Sequence, residues 1–330
     1  MRLLSGLIAA RPITATLIGD ASLSKRPMKR IAEPLRLMGA EIEGDTPPLT
    51  VKGTQLSGID YQSPVPSAQI KSSVLLAGLR ASGETWVHEP SRSRDHTERM
   101  LQAMGVTLLE RPDGAIGLIG GQTLNPFSMQ IPADISSAAF FMVGAALVNE
   151  AQVTFLDLSV NPTRTGIFEV FQQVGIPFHL QDQRLELGET VAQVTVSHSH
   201  QRNPFHVAGD LVPRLIDEIP VLCILATQLN GTSTIRDARE LRVKESDRIA
   251  VVADALTRMG AQIEVFEDGM AITGPTALNG VEVDSNHDHR IAMSFAIAGC
   301  IAQGTTEIEG AESIQTSFPT FQEDLNRLTT

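Results

Sequence analysis

The sequence predicts an α/β protein of about two domains, built from a repeated helix and strand unit. Length gives the domain count: 330 residues, at roughly 150 per domain, make about two. Repetition gives the class. Four segments share one shape, a helical run closed by glycine and followed by a short strand-like stretch: Leu37-Met38-Gly39-Ala40-Glu41-Ile42, Leu101 to Leu108 around Gly105, Phe171 to Phe178 around Gly175, and Leu256 to Ile263 around Gly260. A second, more apolar helix type alternates with them, at Ser67 to Leu79, Ser136 to Val148, Asp217 to Leu229 and His289 to Ala302, with starts 69, 81 and 72 residues apart. Self-similarity at a fixed period marks one supersecondary unit used several times.

Each element has a local reason. Stepping back one period from Ser67 predicts a first buried helix at Arg2 to Ala10, whose capping residues would lie upstream of Met1. Met28, Ile31 and Leu35 stand at helical spacing, as do Ile249, Val252, Leu256 and Met259, so the glycine-terminated helices are amphipathic surface helices. Glycine ends them because it tolerates the left-handed conformation that closes a helix. Gly83 to Val87, Gly231 to Ile235 and Gly304 to Ile308 read as a turn and a Thr-rich strand after the apolar helices. The unit is therefore buried helix, strand, loop, amphipathic helix, glycine, strand, strand. A fifth copy stops after its second helix, near Asn326.

Composition bounds the function. Lys and Arg number 26 against 38 Asp and Glu, a net charge of −12, so the whole chain is a poor nucleic-acid binder and any anion needs a local basic cluster. With 42% hydrophobic and 19% charged residues the chain folds, and 4% aromatics is too few for a base-stacking platform. Cys223 and Cys300 both sit in apolar runs, which predicts buried thiols in a reducing compartment rather than a disulfide framework or a zinc site. The longest apolar run, Ile291 to Ala302, is too short to span a bilayer, and the opening Met1 to Arg11 reads as core helix rather than as a signal peptide.

Chemistry gathers at helix starts. Ser67-Ala68-Gln69, Asp134 to Ser137, Asp217-Glu218 and Asp288-His289-Arg290 precede the buried helices; Ser24 to Pro27, Ser93 to His96, Asn161 to Arg164 and Arg242 to Arg248 precede or open the others. Capping accounts for Asp95, Ser136 and Asp247. It does not account for Arg26, Arg94, Arg164, Lys244, Arg248 and Arg290, because cations at helix N-termini oppose the macrodipole unless an anion is bound. Lys244 and Arg248 lie four apart and can share a helix face, with Glu245 beside them as a proton-transfer group. A solvated helix turn also fits that stretch alone; with Asp217 and Asp288-His289-Arg290 under the same rule, a site is favoured. His198, His200 and His206 lack an acidic or cysteine partner and read as strand edge and loop. Gly120-Gly121 has no Gly-Lys-Ser/Thr after it and is no phosphate loop, and Cys223 reads as a core packer.

Eight motifs in one order now carry a resemblance. Gly19 to Met28, Ser67 to Ser72, Arg94-Asp95-His96-Thr97-Glu98, Asn161 to Gly166, Ile216-Asp217-Glu218, Leu241 to Arg248, Asp288 to Met293 and Thr316-Ser317-Phe318-Pro319 closely resemble the 3-phosphoshikimate 1-carboxyvinyltransferase (EPSP synthase) family, in its bacterial class II form, from Met1 to about Leu328. The resemblance implies the two-domain enolpyruvyl-transferase fold, an inverse α/β barrel of βαβαββ units, with residues 1–127 as the remainder of the first domain and 128–330 as the second. It implies transfer of the enolpyruvyl group of phosphoenolpyruvate to the 5-hydroxyl of shikimate 3-phosphate, with no metal or organic cofactor, in a cytoplasmic enzyme of a usually monomeric family.

Carried over residue by residue, Ser67, Ala68, Gln69, Arg94, Asp217 and Lys244 would hold shikimate 3-phosphate. Arg26, Gln69, Arg248 and Arg290 would grip phosphoenolpyruvate. Asp217 would exchange the proton of the 5-hydroxyl and Glu245 would protonate the enol methylene. The family's N-terminal Lys-Ser-x-x-x-Arg segment and Asn-x-Gly-Thr turn, and the strands that close the second domain, are absent from this sequence, so impaired activity is expected of it. The alternatives are enolpyruvyl transfer to a UDP-sugar, whose family typically has a loop cysteine, and a catalytically dead binding fragment.

Overall fold

The computed structural model describes residues 1–20 and 22–329; Ala21, inside the first of the eight motifs, lies outside them. The chain forms two compact units, Met1–Gln130 with Leu185–Glu189, and Ile131–Arg184 with Thr190–Thr330. Each has an apolar core of its own.

The first unit holds two copies of the repeat. The first copy runs α1 (Arg2–Ala9), β1 (Thr14–Leu17), α2 (Lys29–Leu37), β2 (Glu41–Glu43) and β3 (Leu49–Lys52). The second runs β4 (Asp60–Gln62), α3 (Ala68–Gly78), β5 (Glu84–His88), α4 (His96–Ala103), β6 (Leu108–Glu110) and β7 (Ile116–Ile119). Its sheet has the order β4-β5-β7-β6, with β4 and β5 parallel and the other pairs antiparallel. A parallel pair needs a crossover, and α3 supplies it.

The second unit repeats that pattern. It begins α5 (Ile135–Leu147), β8 (Gln152–Ser159), α6 (Gly166–Val174), β9 (Phe178–Glu186) and β10 (Glu189–Ser197). Next come β11 (His206–Val207), α7 (Val212–Leu215), α8 (Ile219–Ala226), β12 (Gly231–Ile235), α9 (Arg248–Arg258), β13 (Gln262–Phe266) and β14 (Gly269–Gly274). It closes with β15 (Glu282–Asp284), α10 (His289–Gly299), β16 (Glu307–Glu309) and α11 (Phe321–Thr329). The sheet β11-β12-β14-β13 copies the order and directions of β4-β5-β7-β6. In β8-β10-β9 the parallel position is taken by a single bridge, Ala133 to Leu158.

The four predicted helix-ending glycines all adopt left-handed backbone: Gly39 at φ 108°, Gly105 at 89°, Gly175 at 88° and Gly260 at 103°. The apolar helices are buried as expected, with all eight residues of α8 inside the core. Phe321 of α11 packs on Phe141 of α5 with ring centroids 5.1 Å apart, fixing the last helix to the core.

Four expectations need correction. Residues Arg2 to Ala10 do form a helix, but only Ser5, Gly6 and Ala9 are buried while Leu3, Leu4 and Leu7 are exposed. The face of small residues turns inward because α1 approaches α3 closely: a Cβ on Gly6 would stand 2.1 Å from the Ser73 carbonyl oxygen. Asp217 does not open a helix. It lies in the turn between α7 and α8, since Pro220 suits only the first turn of a new helix. Lys244 and Arg248 do not share a helix face, because Asp247 caps α9 by accepting the Ala250 N–H at 3.0 Å and the helix starts at Arg248. Cys300 is exposed, being past the end of α10, whereas Cys223 is fully buried. Among the described residues no helix is long and apolar enough to cross a membrane.

Candidate active site

In the second unit the ends of three elements converge on one guanidinium. Arg248 opens α9 and is 1% exposed. Its Nε donates to Asp288 Oδ2 at 2.8 Å and its Nη2 to Asp288 Oδ1 at 3.2 Å, a two-pronged pairing. Nη2 also donates to Glu245 Oε2 at 2.8 Å, and Nη1 to Asp217 Oδ1 at 3.3 Å. Lys244 Nζ reaches the same Asp217 oxygen at 3.5 Å, and Arg290 Nη2 lies 3.8 Å from Asp217 Oδ2. Three cations and three carboxylates are thus gathered at neutral sum. Burial alone would push the Arg248 guanidinium down, but Asp288, Glu245 and Asp217 outweigh it and hold the charge on.

Local structure explains the convergence. Asp288 caps α10 by accepting the Arg290 N–H at 3.0 Å, so one carboxylate both starts the helix and orients Arg248. Ser246 donates its hydroxyl to the same group at 3.0 Å. Arg242 is turned away: it donates to Asp247 and to the Phe266 and Glu267 carbonyls, tying the loop before α9 to the hairpin β13-β14. Alongside, Arg164 donates to Asp134 Oδ1 and Ser136 Oγ, each at 2.7 Å, and Ser136 donates to buried Glu218. Burial raises the proton affinity of Asp134, but Arg164 and then Arg290 overcome it, and the carboxyl lies below its ordinary range. Asp134, not Ser136, is the cap of α5. Burial, and then Arg290 beside it, lower the proton affinity of His289.

The first unit carries the other predicted residues. Ser67 caps α3, accepting the Ile70 N–H at 3.5 Å. Gln69 is exposed in the first turn of α3 and accepts from Arg2, whose Nη2 also donates to the Pro27 carbonyl at 3.1 Å. Arg26 follows the 3₁₀ turn Leu23–Lys25 and Arg94 precedes the α4 cap, both half-buried. Asp95 makes no side-chain cap bond; it pairs with Arg99 Nε at 2.8 Å. Thus Arg26, Ser67, Ala68, Gln69 and Arg94 belong to the first unit, while Asp217, Lys244, Glu245, Arg248 and Arg290 stand together in the second.

The sequence reading missed a buried triad under this surface. Lys71, 2% exposed, donates to Glu89 Oε2 at 2.9 Å and to Glu98 Oε1 at 2.7 Å. A lysine inside an otherwise apolar helix was the available signal, since such a charge is buried only with partners. The weaker candidates fall away. His198 meets His200 edge to face at 4.7 Å, and its proton affinity is lowered by burial and by Arg202. Burial pushes the Cys223 thiol far up, leaving a core packer.

The family model of EPSP synthase (3-phosphoshikimate 1-carboxyvinyltransferase) matches residues 1–325. The chain belongs to the EPSP synthase family. It is 49% identical to the 3-phosphoshikimate 1-carboxyvinyltransferase of Bacillus thuringiensis strain Al Hakam over 100% of this chain and 77% of the relative. The corresponding Bacillus anthracis protein is 48% identical over 99% of this chain and 77% of its own length. Among solved structures, an EPSP synthase of Acinetobacter baumannii matches with a TM-score of 0.87 and 48% identity, covering 99% of this chain and 76% of that one. The enolpyruvyl transferase NikO of Streptomyces tendae, at 16% identity and a TM-score of 0.79, shares the fold. The α/β architecture of repeated units is therefore the enolpyruvyl-transferase fold.

Proposed function

We propose that this chain transfers the enolpyruvyl group of phosphoenolpyruvate to the 5-hydroxyl of shikimate 3-phosphate, releasing phosphate. The observation that carries the reading is the cluster around Arg248, where carboxylates suited to proton transfer are held by the cations that a polyanionic substrate needs. In this reading Ser67, Ala68, Gln69, Arg94, Asp217 and Lys244 hold shikimate 3-phosphate. Arg26, Gln69, Arg248 and Arg290 hold phosphoenolpyruvate.

Charge balance gives the proton steps a direction. The cluster is neutral as it stands, so an arriving carboxylate and phosphate must take cations from their present partners. The Arg248 bonds to Asp288 come from a helix cap and stay; those to Glu245 and Asp217 are the ones handed over. Each carboxylate then loses a cation that favoured its charged form, and binds a proton more readily. Asp217 takes the proton of the 5-hydroxyl as its oxygen bonds to C2 of phosphoenolpyruvate. Glu245 delivers a proton to the methylene carbon, giving a tetrahedral intermediate. Phosphate then leaves with the proton held by Asp217, and Glu245 takes back one methyl proton as the double bond re-forms, which restores both carboxyl groups. Cations fixed where charge develops lower that barrier.

The same reading makes residues 1–127 and 128–330 the two domains of the enzyme, and the enzyme a cytoplasmic monomer. A phosphate-release assay with both substrates is the test. Release that requires shikimate 3-phosphate supports the reading. Release with a UDP-sugar instead would replace it with the cell-wall reaction, and binding without release would leave a binding fragment.

A further inference from the structure

We infer that Glu89 is a positioning residue for anion binding, tying the Ser67-Ala68-Gln69 segment and the Ser93-Arg94 segment to one carboxylate. The inference rests on the proposal that these segments hold shikimate 3-phosphate. Glu89 follows β5, and its side chain is 8% exposed. Oε1 accepts the backbone N–H of Ser67 at 2.9 Å. Oε2 accepts the Ser93 hydroxyl at 2.9 Å, the Ser93 N–H at 3.4 Å and the Lys71 ammonium at 2.9 Å.

This arrangement replaces a common local device. In a capping box a Glu or Gln three residues after the cap accepts the cap residue's own N–H. That position in α3 is Ile70, fully buried in the core, so no carboxylate can stand there. Glu89 does the task from another element and brings Ser93 with it. The start of α3 and the loop carrying Arg94 are thereby fixed to each other through one carboxylate.

The task needs a carboxylate. Glu89 has donors facing both oxygens and presents none itself. In glutamine the amide nitrogen would have to face either the Ser67 N–H or the Lys71 ammonium with Ser93, so either orientation opposes donor to donor. Lys71 Nζ holds Glu89 Oε2 at 2.9 Å beneath the surface, and Glu98 Oε1, at 2.7 Å from the same ammonium, is the third member of the triad. Burial pushes Glu98 above the ordinary carboxylate range against the pull of Lys71.

The test is calorimetric titration of the purified chain with shikimate 3-phosphate, beside melting temperatures. Glu89→Gln should raise Kd about tenfold, the size of a lost hydrogen bond near charge. Glu98→Gln, which alters the triad elsewhere, should leave Kd within about twofold even where it shifts the melting temperature. Ser67→Ala and Arg94→Ala separate the two claims. If they weaken binding and Glu89→Gln does not, the positioning role is wrong and the binding assignment stands. If none of the three changes Kd, or the unaltered chain does not bind, the binding assignment fails and the positioning role with it. If Glu98→Gln weakens binding as much as Glu89→Gln, the triad acts through stability alone and the inference is overturned. Should Glu89→Gln not fold, Ser93→Ala takes its place: a raised Kd at unchanged melting temperature supports the inference, and an unchanged Kd overturns it.

Discussion

A buried arginine facing three carboxylates is costly to keep unless its geometry is used. Arg248 spends a two-pronged contact on Asp288 and single contacts on Glu245 and Asp217, a division only a planar fork can make. Arg248→Lys should therefore raise the KM for phosphoenolpyruvate by roughly tenfold or more, in line with the energy of charge-assisted hydrogen bonds. Steady-state kinetics at saturating shikimate 3-phosphate reads this, and an unchanged KM removes Arg248 from the phosphoenolpyruvate set. Glu245→Gln and Asp217→Asn keep shape and lose the transferable proton site. Each should lower kcat on the order of 10²-fold with a smaller effect on KM; near-normal kcat in either variant takes that residue out of the mechanism. At this scale the sequence showed which residues carry charge at helix starts, but not their pairings. Asp288 stood in the sequence as one of a charged cluster before a buried helix, yet its bond to Arg248 depends on the approach of α9 and α10, which no local spacing encodes.

Elements were the most legible level, because their signals are local. A helix face, a closing glycine and a strand follow one another within a dozen residues, and the left-handed Gly39, Gly105, Gly175 and Gly260 stand where that rule put them. The first helix went partly wrong for a nonlocal reason: its leucines read as core, but close approach to α3 selects the small face instead. Gly6→Ala tests that account. The added methyl meets the Ser73 carbonyl, a backbone atom that cannot rotate aside, so the helices must separate, at a cost of about 1–3 kcal/mol. Urea unfolding should show the loss; unchanged stability would mean that the two helices are not packed so closely. A second test uses the buried triad. Burial, opposed by Lys71, raises the proton affinity of Glu98 above its ordinary value of 4.5. A carboxyl raised on folding stabilises the fold below its unfolded value, and that contribution is lost as pH climbs through the folded value. Glu98→Gln cannot ionise, so its stability relative to the unaltered chain should be poorest near pH 4 and improve towards pH 7. A difference that widens as pH rises would show Glu98 to be held as a charge.

Over the whole molecule, a chain of net charge −12 has to bind two phosphate-bearing substrates. The global field repels them, and the basic residues proposed to hold them, Arg26, Arg94, Lys244, Arg248 and Arg290, must act at short range. Salt affects these two contributions in opposite senses. It screens the long-range repulsion over a Debye length of about 8 Å at physiological strength, while contacts in partly buried places are screened much less. Arg248, at 1% exposure, and Arg290, with its side chain 16% exposed, are of that second kind. In the proposed function, binding also exchanges carboxylate partners for substrate oxygens rather than releasing a condensed counterion cloud. The affinity for shikimate 3-phosphate should therefore fall by less than about tenfold between 50 and 200 mM salt, where a protein neutralising six to ten phosphates of DNA loses about 10³ to 10⁵. Calorimetric titration across that range measures the slope. A fall as steep as that of a DNA-binding protein would mean that exposed cations do the holding, and that the cluster around Arg248 is a structural ion-pair network to which the substrates do not couple.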